Sequence, residues 1–365
     1  MNRKEPFQLQ LLPPTVDFAP LAYEIGRANH KLGRLDGLIF TLPNPALLTA
    51  PLLTKEAVLS SRIEGTQASL EDVFHYEADN HESEESETER DVREIINYRR
   101  ALKAALKEVK KKPIGENLIK TMHSVLLDSV RGSAKDRGTF RRSQVYIAKH
   151  GATIDHATFV PPIASDIPAL ISNWERFLHA EDQIDPLVKV AILHYQFEAI
   201  HPFLDGNGRI GRLLIPLTLF SGGLLSHPLL YISEYFEDHR QTYYDLLLAV
   251  SEQQAWAEWI KFFLVAISTQ SERAETTVKK IHKLHGTLKE RVATINSPYA
   301  PRFLDLIFTT PVFSFNSIKD ELGTKAQQTV YNLIDKFVEN GMIRERGAQK
   351  RNRRFEFPEL LKILA

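Results

Sequence analysis

The sequence predicts an all-α protein that carries one small β-hairpin in its body and a winged-helix domain towards its C-terminal end. Three observations predict this class. Apolar residues recur at helical spacing along most of the chain and alternate at strand spacing in very few places. One central helix has both ends written into the sequence, with Asp185 as N-cap, Pro186 at the first helical position and Pro202 as the stop. From about residue 297, three helical patterns are followed by two short basic runs around Gly347, which is the order of a helical domain with a wing.

Composition sets the frame for these elements. The chain has 365 residues, 43% hydrophobic and 25% charged, within the range of ordinary globular proteins. Its 46 basic side chains balance 46 acidic ones, so the whole surface is not a coat for nucleic acid or membrane. There is no cysteine, which excludes disulfides, thiolate metal sites and a cysteine nucleophile. The first eighteen residues hold no apolar core of signal-peptide length, and no apolar run approaches the ~18 residues of a membrane span. The expectation is a soluble, cytoplasmic protein with no membrane partner.

Taken in order, residues 77–91 (EADNHESEESETERD) are acidic and lack apolar periodicity, and they read as an exposed linker. The linker sets an N-terminal helical extension (1–85) apart from a core (86–280), with the C-terminal domain at 290–365. Residues 144–147 alternate and 158–160 return before Pro161-Pro162, which predicts a short strand pair. Leu187, Val190, Ala191, His194 and Phe197 fix the helix over 185–200. A helix over 209–220 ends at Ser221-Gly222-Gly223, and an aromatic-rich helix covers 243–270. In the last domain, segments 302–310, 314–322 and 324–340 are helical and Gly341 closes the third.

One segment carries chemistry, His201-Pro202-Phe203-Leu204-Asp205-Gly206-Asn207-Gly208-Arg209-Ile210-Gly211-Arg212. It is a loop between two helices. Gly206-Asn207-Gly208 can adopt backbone angles that turn successive N–H groups onto one anion, and the following helix adds its positive end. Arg209 and Arg212 are three apart in the first turns of that helix, and two guanidiniums beside such a nest suit a polyphosphate. Asp205 at the rim suits Mg²⁺ shared with phosphate oxygens. His201 can take up a proton near neutral pH. Each feature alone fits a plain helix–turn–helix; together within twelve residues they outweigh that reading. There is no HExxH pattern, and His194 and His201 lie seven apart with His201 beyond the helix end, which argues against zinc.

This segment resembles the signature of the Fic family, H-x-F-x-[DE]-G-N-G-R-x-x-R, at every defined position. Asn97-Tyr98 with Ala101-Leu102 is similar to that family's early helix, and His123 to Leu127, Gly138-Thr139-Phe140-Arg141 and residues 143–147 are similar to the approach to its flap hairpin. The resemblance implies a Fic-type helical core that transfers AMP from ATP to a Ser, Thr or Tyr hydroxyl of a target protein, releasing pyrophosphate. It implies His201 as the base, Phe203 as the loop's anchor and Asp205 as the metal ligand. Gly206, Asn207, Gly208, Arg209, Gly211 and Arg212 would hold the phosphates, Arg212 the terminal one, and Tyr243, rather than Tyr244, would touch the nucleoside. Tyr231 and Tyr235 lie where the family builds the same pocket. Val145, Ile147 and Ala148 would form the flap that adds a target segment as a strand.

Upstream, Ser60-Ser61-Arg62-Ile63-Glu64-Gly65 resembles the family's inhibitory pattern, [ST]-x-x-x-E-[GN]. That likeness implies a helix whose Glu64, aided by Ser60 and ended by Gly65, occupies Arg212. The leading expectation is therefore an autoinhibited, Mg²⁺-dependent protein adenylyltransferase, with self-modification open to it. Two alternatives stay open: removal of AMP by the same site, and a DNA-binding regulator in which the loop senses nucleotide. The wing cations Arg344, Arg346, Lys350, Arg351, Arg353 and Arg354 suit phosphate backbone, whereas the helix before them carries Asp335 and Glu339. Docking or homodimer formation by that domain is equally open.

Overall fold

The structure is a computed structural model that describes residues 5–42, 44–78, 86–128, 130, 136–148, 153–324, 326–346 and 353–365. In chain order the elements are α1 (Ala22–Phe40), α2 (Ala46–Ile63), α3 (Leu70–Ala78), α4 (Glu87–Glu108), α5 (Glu116–Leu126), α6 (Ile167–Leu178), α7 (Pro186–Ile200), α8 (Asn207–Ser221), α9 (Ser233–Asp238), α10 (Arg240–Gln253), α11 (Trp256–Val292), α12 (Ala300–Thr309), β1 (Val312–Ser314), α13 (Phe315–Leu322), α14 (Gln327–Glu339), β2 (Arg344–Arg346), β3 (Arg354–Glu356) and α15 (Pro358–Leu364).

The axis of the fold is α7. Asp185 caps it as expected, its carboxylate accepting from the N–H groups of Leu187 (2.9 Å) and Val188 (3.4 Å). Nearly every side chain from Leu187 to Ile200 is buried, so the helix is wrapped on all sides rather than packed by one stripe. Its neighbours are α1, α6, α8, α10 and α11. Trp174 from α6 and Trp259 from α11 fill the space beside it, and their indole N–H groups donate to the carbonyls of Leu193 and Ala191, each at 2.9 Å. Both indoles thus enter the core without leaving their N–H groups unpaired.

Helix α2 is held between two groups of elements. On one side it meets α4, α8 and α9, and on the other α3, α12 and α15. Glu56 anchors the first contact. Its carboxyl is buried and accepts from Tyr98 of α4 (3.0 Å) and from the hydroxyl (2.5 Å) and N–H (3.3 Å) of Ser233 in α9. Burial pushes this carboxyl up to about 7 despite those donors and Arg212.

Several expectations change. The acidic segment is not a linker as far as Asp91: residues 79–85 lie outside the described residues, but Glu87 already begins α4. Ser86 caps α4 by accepting from Glu89 N–H (3.2 Å), while Glu89 accepts from Ser86 N–H (2.9 Å). The single aromatic helix over 243–270 is two helices, because Gln254 adopts a left-handed conformation (φ +56°) between α10 and α11. The strand pair reduces to one bridge. Ile147 N–H donates to Phe159 O (2.8 Å), and Ile147 O accepts from Thr158 and Phe159 N–H. The next partner for Val145 would be Pro161, which has no N–H, and Gln144 donates instead to the carbonyls of Val145 and Pro161. Its turn, 149–152, lies outside the described residues.

In the C-terminal region α12, α13 and α14 stand near the predicted positions. A three-stranded antiparallel sheet in the order β1-β3-β2 joins them, with Val312 opposite Glu356 and Arg344 opposite Glu356 across the central strand. Strand β1 and the closing α15 were not expected, since three residues show no alternation and the last run is too short to have a period. This region rests on α2, α3 and α11.

Candidate functional site

The twelve-residue segment begins where α7 ends. His201 is the C-cap residue and takes a left-handed conformation (φ +49°), which turns the chain out of the helix. Phe203 is fully buried and stacks on His123 of α5 at 3.8 Å between ring centres. Gly206 is also left-handed (φ +76°) and is the N-cap of α8, a conformation that suits glycine. The loop is thus bent once by a histidine and once by a glycine around a buried ring.

Three side chains hold it in that shape, two of them on distant elements that sequence spacing could not reveal. His123 accepts from Gly138 N–H through Nδ1 (2.9 Å), so its Nε2–H donates to Asp205 O (3.0 Å). Burial lowers this imidazole to about 4, which keeps that tautomer neutral. Arg141 is buried and donates to carbonyls: His201 (2.9 Å), Ser143 (3.1 Å), Pro162 (2.6 Å) and Ile200 (3.4 Å), while its own N–H donates to Pro202 O (2.9 Å). It ties both arms of the flap to the loop. Asn207, expected in the phosphate cradle, uses its side chain inside the loop, accepting from Phe203 N–H (2.8 Å) and donating to Phe203 O (2.9 Å). Its main-chain N–H, with those of Gly208 and Arg209, belongs to the first turn of α8, where N–H groups have no acceptor within the helix.

The two arginines separate. Arg209 pairs with Glu94 of α4 in a buried contact (2.8 Å) and lies 3.6 Å from Asp205. It therefore braces the loop against α4. Arg212 turns to α2, donating to the Ser60 hydroxyl (2.9 Å), the Ser60 carbonyl (2.9 Å) and the Glu64 carboxylate (2.6 Å). Its side chain is 1% exposed and that of Glu64 is 37% exposed. Burial raises the Glu64 carboxyl, but Arg212 more than offsets this and holds it below the ordinary range; Glu64 in turn keeps Arg212 firmly charged against the cost of burial. Gly65 follows with φ +101° and ends the helix there. The Glu64 carboxylate covers Gly208 so closely that a Cβ at that position would collide with it.

A cavity of about 860 Å³ opens beside this pair, lined by His201, Gly208, Arg212 and Glu198 at one end. Tyr195, Leu248 and Ser251 line the other end, with Ile147, Ala148 and Phe159 of the flap above. Val145 is not among its lining residues. His201 donates towards the Glu198 carbonyl through Nδ1 (3.4 Å), which leaves Nε2 to accept a proton. Burial lowers this ring to about 4, so it is neutral at pH 7. Tyr243 reaches the cavity wall but is 1% exposed, and its hydroxyl meets His194 Nε2 at 2.9 Å. Tyr244 is 40% exposed and better placed to meet a ligand. Tyr231 and Tyr235 do not line the cavity. Gly211 serves packing: its carbonyl meets His194 at 3.2 Å, and the Glu198 side chain lies against its Cα.

No group of three or more His, Asp or Glu side chains able to hold a metal occurs among the described residues. Asp205 stands at the turn into α8 but does not line the cavity; its Oδ1 accepts from Gly206 N–H at 2.7 Å and lies 3.6 Å from Arg209. A single hard oxygen ligand fits Mg²⁺ that completes its shell with substrate oxygens and water, and it does not fit a metal needing a protein cage.

A glycine-bent loop at a helix start, a neutral imidazole and a cavity bordered by a flap come together in a helical domain. Residues 23–107 match the Fic/DOC family N-terminal domain, and residues 113–219 match the Fic/DOC family domain. The chain belongs to the Fic/DOC family. Over 162 residues it is 33% identical to a protein adenylyltransferase Fic of Culex quinquefasciatus, covering 41% of this chain and 28% of that one. The likeness to the Drosophila yakuba protein of the same name is 36% over 117 residues, or 32% of this chain and 21% of the relative. The chain thus spans under a third of the length of these relatives. The crystal structure of a Fic family protein from Desulfovibrio desulfuricans superposes with a TM-score of 0.60 at 21% identity, covering 94% of this chain and 98% of that one. Fic-1 of C. elegans (residues 134–508) gives 0.51 at 22% identity over 74% of this chain and 75% of that one. At such identities the likeness is one of fold. Among the described residues no helix is long and apolar enough to cross a membrane.

Proposed function

We propose that the protein transfers AMP from ATP to a hydroxyl side chain of a protein, and that α2 restrains this activity. The observation that carries the reading is the Arg212–Glu64 pair above Gly208, with a neutral His201 across the same nest. The N–H groups of Asn207, Gly208 and Arg209 would receive the phosphates, and Arg212 the terminal one. The target hydroxyl oxygen attacks the α-phosphorus in line, its proton passes to His201 Nε2, and the bond to the β-phosphate oxygen breaks to release pyrophosphate. Asp205 would hold Mg²⁺, which would neutralise phosphate charge. The flap residues Ile147 and Ala148 border the cavity where the hydroxyl must enter, and an exposed edge there suits an extended target segment.

Glu64 occupies the guanidinium that the terminal phosphate needs, and one fork cannot serve both at full strength. A protein in this state holds ATP poorly or with the α-phosphorus out of line. Incubation with labelled ATP and Mg²⁺, followed by mass spectrometry of the protein itself and of added candidate targets, tests the activity. Added AMP on a Ser, Thr or Tyr supports it; its absence from both the wild type and Glu64→Gly would sink it.

A further inference from the structure

Glu198 stands one turn before His201 on α7; its carbonyl meets His201 Nδ1, but its side chain has no part in the mechanism above. Its Oε1 is buried without a hydrogen-bond partner, and its side chain lines the cavity beside Arg212, Glu64 and Gly208. A buried polar oxygen left unpaired costs roughly 1–3 kcal/mol, so such atoms call for a partner that the resting protein does not supply. Its place is defined by glycines. Gly208 and Gly211 are three apart on one face of α8; the Glu64 carboxylate lies against the first and the Glu198 carboxylate against the second, where a Cβ would collide with either. The two acids therefore lie one turn apart along the same bare helix face, and Arg212, whose Nη1 also borders Gly208, lies beside them.

We propose that Glu198 is a further binding residue: a neutral carboxylic acid that donates a hydrogen bond to an oxygen of the anion seated on Arg212. This rests on the reading above, in which that anion is the terminal phosphate of a nucleoside triphosphate. An anion that displaces Glu64 from Arg212 comes to lie beside Gly208 and so within reach of the acid over Gly211. The groups facing Glu198 are Arg212 from α8, Glu64 from α2, His201 from its own helix end, and Tyr243 and Tyr244 from α10. Burial pushes its carboxyl up to about 8, Arg212 opposing and Glu64 adding to the rise, so at neutral pH it carries a proton and can donate. Above that value it becomes an anion that repels phosphate and competes for Arg212.

The test is calorimetry of ATP and AMP on the full chain carrying Glu64→Gly, from pH 7 to pH 9, with thermal melts as a check on folding. In that background ATP affinity should fall as pH rises across the range, beyond what the nucleotide's own titration explains. Adding Glu198→Gln, which donates but cannot ionise, should keep the pH 7 affinity and remove the fall. Adding Glu198→Ala should weaken ATP by roughly tenfold or more while leaving AMP, which has no terminal phosphate, unchanged. An unaltered pH profile in the glutamine variant overturns the proposal, as does an equal loss for ATP and AMP in the alanine variant, which would place Glu198 at the nucleoside. If ATP binding does not depend on Arg212, tested with Arg212→Ala, the underlying reading fails instead.

Discussion

At Arg212 a buried guanidinium has its bonds divided between Ser60 of α2 and Glu64 at its C-terminal end, and the proposed chemistry turns on which group it serves. Glu64→Gly should raise self-modification by labelled ATP, by roughly 10²-fold if the ligand must otherwise break the pair. Adding Arg212→Ala should cancel that gain, and a single variant no faster than wild type would reduce Glu64 to a helix-end carboxylate. His201→Ala in the Glu64→Gly protein should cut transfer by about 10²–10⁴-fold while calorimetric ATP affinity is kept. Because burial lowers His201 to about 4, the rate of Glu64→Gly should hold as pH falls from 7 to 5 and decline only as the ring gains its proton below that. The twelve-residue motif was legible because its chemistry is local. What Asn207 and Arg209 do was not, because their partners are Phe203's backbone and Glu94, and only the fold brings Glu94 to the loop.

Glu56, Ser60 and Glu64 recur every fourth residue of α2, so one helix face carries the anchor, the clamp and the stop. Glu56 holds its proton more tightly folded than unfolded. Its contribution to stability is therefore complete below about pH 4.5 and is lost as pH rises through about 7. Between those limits the loss amounts to about 3 kcal/mol. Glu56→Gln should flatten that part of the stability-versus-pH curve, as measured by denaturant unfolding at pH 5 and pH 8. A variant that loses stability with pH as the wild type does would show that Glu56 is not the titrating group. Helices with caps, such as α7, could be placed from sequence because Asp185, Pro186 and Pro202 are unambiguous. The break between α10 and α11 could not, since Gln254 is no conventional breaker and tertiary packing imposes its left-handed turn. The flap misled in the other direction: residues 144–147 alternate like a strand, but Pro161 withholds the donor its ladder needs.

For the molecule as a whole, the C-terminal region is an internal buttress as much as a domain. The wing cations Arg344, Arg346 and Arg353 are exposed or half-buried but matched by carboxylates: Arg344 pairs with Glu356, and Arg353 forks onto Glu345 (both 2.7 Å). Arg346 meets Glu356, His75 and Glu71 of α3. Residues 347–352, with Lys350 and Arg351, lie outside the described residues. Cations already matched by carboxylates release few counterions, so the full chain should bind random duplex DNA weakly and with a shallow salt dependence in mobility-shift titrations. A steep dependence would restore the DNA-binding reading of this domain. The pattern of three helices and a basic pair of strands was legible from 297 onward. The sheet that β1 completes was not, because three residues cannot show a period.

The order of α2 and α8 along the chain has a consequence for synthesis. A ribosome releases the helix bearing Glu64 well over a hundred residues before the one bearing Arg212, and chains tend to fold from the end made first. If Glu64 restrains the site as proposed, the stop would be made before the loop it closes. Two further elements that pack on α2, α12 and α15, follow later still in the chain. On the proposed reading, a growing chain would pass from a restrained site to a restrained and buttressed one.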